Sequence, residues 1–154
     1  MAKRDGKSTG AEPARARPAD RPILVVTGSI GRNTPAPGGW GYVVCYPSGQ
    51  EAEGGGTAAE TTGHRMALTA VIRALERLGS AEPAAVRVVT SSQYAVDVAS
   101  GKAERRANPD LWAQLDQLTR GRRIVWEWEP DETMYFQERA AELARLAMTR
   151  GQPG

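Results

Sequence analysis

Along the chain the apolar residues change their period several times, and each change marks an element. Pro22 to Val26, PILVV, is an unbroken apolar run ahead of the turn-rich TGSIGRNTPAPGG, the pattern of a strand buried on both faces. WGYVVCY (40–46) reads as a second strand, PSG (47–49) supplies turn chemistry, and QEAEGGGTAA reads as a weaker third strand. The period then becomes helical. Thr61 or Thr62 can cap a helix on which Leu68, Val71, Ile72 and Leu75 share a face, ending before Gly79. AAVRVVT (84–90) is another buried strand, followed by a short helix over SQYAVDVAS that Gly101 closes. DLWAQLDQL predicts a further helix with Asp110 near its positively polarised N-terminus, and RIVWEW (123–128) a last strand. Phe136, Ala140, Leu143, Ala144 and Ala147 predict one face of a closing helix, frayed over 150–154. Three strands followed by crossover helices imply an α/β fold, a mixed sheet with helices on both faces.

Composition fits that picture and narrows it. A chain of 154 residues, 40% hydrophobic and 25% charged, suits one globular domain, here expected over 22–149. No apolar run approaches the roughly 18 residues of a membrane span, and the first residues have no secretory signal pattern, so a cytoplasmic protein without a membrane partner is expected. The single cysteine, Cys45, excludes an internal disulfide. The formal charge of +2 hides an asymmetry: residues 1–21 carry six Lys/Arg against three Asp/Glu, while residues 22–154 carry 14 against 15. Residues 1–21, rich in Ala, Pro and Arg, are therefore expected to be a disordered basic tail.

Individual residues offer limited chemistry. His64, the sole histidine, stands near the start of the first helix, where it reads either as an exposed residue of the capping turn, as a ligand contact, or as a general base beside Ser91 or Thr27. Cys45, between Val44 and Tyr46, reads as a small core hydrophobe rather than a nucleophile. Trp126 and Trp128 share one face of the last strand, with Glu127 on the other, and are expected to pack under helices; exposed, they would stack bases or bind a partner.

Six fragments in order, GSIGRN, PGGWGYVV, TTGHRMAL, SSQYAV, NPDLW and QERAAELA, resemble the type I ribonuclease H family over roughly residues 22–148. The resemblance implies a five-stranded sheet whose first three strands are antiparallel. Trp40 and Trp112, which stand where the family motifs have tryptophan, are expected to be structural. It also implies a reaction in which four carboxylates hold two magnesium ions that cleave RNA opposite DNA. Carried over position by position, those carboxylates fall on Thr27, Ala67, Ser91 and Ala141. Neutral hydroxyls only supplement carboxylates around a hard cation, and alanine supplies no ligand, so no magnesium site, no other cofactor and no hybrid hydrolysis are expected. The loop that in the family carries a histidine reads EPDETMYF (129–136), one residue short, with Asp131 or Glu132 near the histidine's place. It reads as a solvated acidic loop, or as a displaced metal site built from Glu129, Asp131, Glu132 and Glu138.

Binding is a separate matter from cleavage. The resemblance places RNA-contacting side chains at Asn33 and Gln93, whereas the family's paired asparagines have become Gly63 and His64. The basic protrusion that many members use on DNA shrinks to SGKAERRANP, in which Lys102, Arg105 and Arg106 could touch phosphates. The expected function is a catalytically silent ribonuclease H-like protein that binds nucleic acid, RNA/DNA hybrid or RNA, weakly and with steep salt dependence, or that binds a protein as a scaffold. The alternative is a repurposed, metal-independent enzyme using Thr27, His64, Ser91, Asp131 and Glu132 on a small molecule.

Overall fold

A computed structural model of the chain describes residues 21–79, 85–130 and 135–151. Its elements are β1 (Ile23–Ile30), β2 (Ala36–Cys45), β3 (Glu51–Thr61), α1 (Gly63–Leu78), β4 (Ala85–Thr90), α2 (Gln93–Ala99), α3 (Pro109–Thr119), β5 (Arg123–Trp128) and α4 (Tyr135–Gly151). The five strands form one sheet in the order β3-β2-β1-β4-β5. β1, β2 and β3 pair antiparallel, while β4 pairs parallel with β1 and β5 parallel with β4, as the element order predicts. Among the described residues no helix is long and apolar enough to cross a membrane.

The alternation of side chains along the strands assigns the two faces. Ile23, Val25, Val44, Val86 and Val88 face one way and are buried with Leu68, Val71, Ile72 and Leu75 of α1 and with Leu111, Trp112 and Leu115 of α3. α4 lies on the opposite face, where Ala140, Ala141 and Ala144 are buried. Its buried stripe, completed by Gln137, differs from the expected one: Phe136, Leu143 and Ala147 remain partly exposed, and the helix continues through Gly151. The reason lies in the strands beneath. A Cβ at Gly41 would lie 2.3 Å from the Ala140 carbonyl oxygen, and one at Gly39 would lie 2.7 Å from that of Ala144. Glycines on the sheet and alanines on the helix bring the two backbones together, so the larger side chains of α4 lie at its margins.

Those glycines also explain why β1 and β2 exceed the predicted runs. Gly28 and Ser29, which read as turn residues, pair with Gly41 and Trp40 in the antiparallel ladder. Helix ends follow local chemistry as read. The Thr62 side chain, not that of Thr61, accepts the Arg65 N–H at 3.3 Å to cap α1, and Gly79 at φ 69° closes it. The predicted basic tail, apart from Arg21, and the acidic pair Asp131 and Glu132 lie outside the described residues.

Candidate functional site

The parallel pairing of β1 with β4 ends at Thr27 opposite Thr90, where β4 stops and β1 continues beside β2. Beyond that point β4 turns sharply into α2 through Ser91 and Ser92. Short-range polar contacts hold this corner: the Thr90 hydroxyl accepts the Ser92 N–H at 3.1 Å, and the Ser92 hydroxyl accepts the Ala95 N–H at 3.1 Å as the cap of α2. The Thr90 carbonyl accepts the Glu129 N–H at 2.9 Å, and the Ser91 carbonyl accepts the indole N–H of Trp128 at 3.2 Å. The end of β5 is thereby fastened to the corner.

α4 closes on the same place from the other face. A Cβ at Gly28 would lie 2.7 Å from the Ala141 backbone nitrogen, which puts Ala141 against the residue that follows Thr27. Thr27 and Ala141 are each 3% exposed and Ala67, on α1, is 2% exposed. Thr27 Oγ1 is buried without a hydrogen-bond partner. Ser91 is partly exposed. Ala141 is thus packed against Gly28, next to Thr27, and Ser91 follows Thr90, the register partner of Thr27; these positions carry hydroxyls and methyl groups.

A polar rim adjoins this floor. The Gly63 N–H donates to the Arg32 carbonyl at 2.9 Å, and a Cβ at Gly31 would lie 2.5 Å from Gly63 Cα, so the loop bearing Asn33 rests on the start of α1. His64 lies flat on Tyr94, with ring centroids 3.9 Å apart and planes 6° from parallel. The segments that carry Asn33 and Gln93 thus both contact the start of α1, where Gly63 and His64 stand. The rim also contains residues that sequence reasoning missed. The Tyr94 hydroxyl accepts from Asn108 Nδ2 at 3.0 Å and from Trp112 Nε1 at 3.1 Å. Arg65 donates to Asn108 Oδ1 at 3.1 Å and grips Asp110 with both arms, at 2.7 and 3.1 Å. That hydrogen-bonded guanidinium lowers the Asp110 carboxyl to about 2. Asn108 itself occupies the left-handed region at φ 61°, a conformation asparagine tolerates better than most residues. The fragment NPDLW was the available signal, but its partners Arg65 and Tyr94 lie far away in sequence.

The three predicted phosphate-facing cations are not equivalent. Arg105 is committed twice, to Asp116 through two bonds of 2.7 Å and to the Trp112 ring 5.0 Å below its guanidinium. Lys102 and Arg106 are exposed, the latter with only a long 3.9 Å contact to Glu104. His64, read as a possible general base beside Ser91 or Thr27, is exposed and stacked on Tyr94, while Ser91 is partly exposed and Thr27 is buried. Trp126 is partly buried as expected, whereas Trp128 is 43% exposed rather than covered by a helix. Trp112 is buried, and half-buried Trp40 lies parallel to Tyr42. Cys45 is only half-buried, and burial first, then the nearby Glu51 charge, pushes its thiol up to about 11, which leaves it a poor nucleophile. Glu129 and Glu138 are exposed, and among the described residues no group of three or more His, Cys, Asp or Glu is placed to hold a metal ion.

Comparison with known proteins places these features in a wider context. The family model for RNase H matches residues 21–145. A ribonuclease H of Nitrosococcus oceani is 38% identical over 144 residues, covering 84% of this chain and 96% of that protein. A ribonuclease H of Chelativorans sp. is 37% identical over 140 residues, with 82% and 85% covered. Among solved structures, LC11-RNase H1 in complex with an RNA/DNA hybrid superposes with a TM-score of 0.72 at 25% identity, covering 83% of this chain and 97% of that one. RNase H1 from Halobacterium salinarum gives 0.71 at 24% identity, covering 85% and 100%, a likeness of fold.

Proposed function

We propose that this chain, which belongs to the ribonuclease H family, has given up metal-dependent cleavage and acts by binding nucleic acid. The observation that carries this reading is the floor beside the β4–α2 corner. Where the family resemblance assigns carboxylates, Thr27, Ala67 and Ala141 are buried neutral residues and the Thr27 hydroxyl lacks a partner. A pair of magnesium ions brings four positive charges and requires anionic oxygen ligands in octahedral arrangement. Two hydroxyls and two methyl groups do not fit that demand, so no step of hydrolysis is assigned to these residues.

Nucleic acid is favoured over a protein scaffold because Asn33 and Gln93 keep the side chains that the family resemblance assigns to RNA contact, while Gly63 and His64 replace its paired asparagines. Asn33 and Gln93 stand on segments that contact the start of α1, and Lys102 and Arg106 are exposed, Arg106 with a 3.9 Å contact to Glu104. The solved relative with a bound hybrid presents the same fold to such a partner. A repurposed enzyme finds less support, because its proposed residues divide between the buried floor and the rim, while Asp131 and Glu132 lie outside the described residues.

The reading is tested with purified full-length protein, labelled RNA/DNA hybrid, duplex RNA and single strands, in a salt series with magnesium present. Binding that weakens steeply with salt, and intact substrate after prolonged incubation, are expected. Magnesium-dependent cleavage that follows the protein through successive purification steps would overturn the loss of hydrolysis. No binding to any nucleic acid at about 50 mM salt would overturn the choice of partner.

A further inference from the structure

Two exposed rings flank the β4–α2 corner. His64 is exposed and presses on Tyr94, whose hydroxyl is fixed from below by Asn108 and Trp112. Trp128 is 43% exposed and is pinned by the bond from its indole N–H to the Ser91 carbonyl. Ser91 and Tyr94 belong to the same corner, so both rings are anchored to residues 91–94. Neither ring needs to be ordered on binding, which lowers the entropic cost of using it as a contact.

Rings held in this way recognise bases by stacking, a mode that tolerates any sequence because every base has a π-face. A base within a continuous duplex is already stacked on both neighbours, so an external ring engages only bases released from that stack. Compared with the pattern the family resemblance implies, Gly63 and His64 remove two amide hydrogen-bonding groups and add one flat ring. We infer that His64 and Trp128 are base-stacking platforms, and that this surface takes single-stranded RNA or DNA in preference to a continuous hybrid. The inference rests on the nucleic-acid reading above and specifies its substrate class.

Fluorescence anisotropy with full-length protein tests it, using a labelled single-stranded RNA of about 12 nucleotides, the matching DNA strand and the blunt hybrid of the two, a length within the ordinary site size of a single-strand binder. The single strands are expected to bind about tenfold more tightly than the hybrid. His64→Ala and Trp128→Ala are each expected to weaken single-strand binding by about tenfold, the usual scale for loss of one stacked base. His64→Phe, which keeps a flat ring, should retain wild-type affinity. Both altered side chains are exposed, and circular dichroism melts confirm that the variants fold. Tighter binding of the hybrid, or unchanged single-strand affinity in both alanine variants, overturns the inference while leaving the nucleic-acid reading standing. Failure of the wild type to bind any of the three removes both.

Discussion

Within β1 the Thr27 hydroxyl is buried with no partner, whereas at the start of α2 the Tyr94 hydroxyl accepts two hydrogen bonds and the Tyr94 ring carries the His64 ring on its face. Like Thr27, Ala67 and Ala141 are buried, and neither carries a polar side chain. The rim to which Tyr94 belongs is joined by Arg65, Asn108 and Asp110 into a continuous network. Buried polar groups without partners cost about 1–3 kcal/mol each, while a satisfied network fixes the orientation of every member. In the function proposed above, the contrast separates two parts of what the family resemblance makes a single site: positions assigned to chemistry on a phosphodiester, which here are neutral, and a neighbouring hydrogen-bonded rim assigned to positioning a strand.

The largest effect should come from forcing charge back into the floor. Ala67→Glu buries a carboxylate at a position 2% exposed, and without an ion to pair it the fold should lose about 3–5 kcal/mol, read as a lower thermal midpoint. Magnesium should not restore it; recovery on adding magnesium would show that the floor still admits a cation and would dissolve the contrast. A pair of near-isosteric changes sharpens it at lower amplitude. Tyr94→Phe strands the donors of Asn108 and Trp112 and should cost about 1–2 kcal/mol in denaturant unfolding. Thr27→Val removes a buried hydroxyl that bonds to nothing and should stabilise by about 1 kcal/mol. Destabilisation by Thr27→Val comparable to that of Tyr94→Phe would mean that the floor hydroxyl is satisfied after all.

The fold was readable to the extent that each element announces itself by period and punctuation. β5 was read with the bounds it has, and the helix ends at Thr62, Gly79 and Gly101 follow from capping chemistry and positive-φ glycines. The stretch GSIGRNTPAPGG misled in extent, because glycine reads locally as a turn while Gly28 and Gly41 are required by the approach of α4. The same tertiary demand moved the buried stripe of α4 from its large residues to its alanines. In the candidate site, Thr27, Ser91, Gly63, His64 and Gln93 were singled out by their places in short motifs. Arg65, Asn108 and Asp110 were not, since their meaning lies in bonds across 43 and 45 residues that no local pattern contains. Trp128 shows the limit of strand alternation: its face was read correctly, but the face extends past the helix that covers Trp126.

The finest test of the rim concerns its charge. The Arg65 guanidinium holds the Asp110 carboxyl at about 2, below the roughly 3.9 of an unfolded aspartate. A depressed carboxyl binds its proton later than the unfolded chain does, so its stabilising contribution is complete above about pH 4 and is lost as pH falls through about 2. Wild-type stability should therefore decline more steeply over that window than that of Asp110→Asn, which has no proton to take up. Asp116, Glu53 and Glu127 are lowered in the same direction by Arg105, Arg139 and Arg87, and only the difference between the two proteins isolates Asp110. The pair is partly exposed, so the difference should be small and should shrink with added salt. Parallel stability curves at low salt would mean that the Arg65–Asp110 bond is made without energetic consequence, and the rim would then owe its order to the Tyr94 hydroxyl and its two donors.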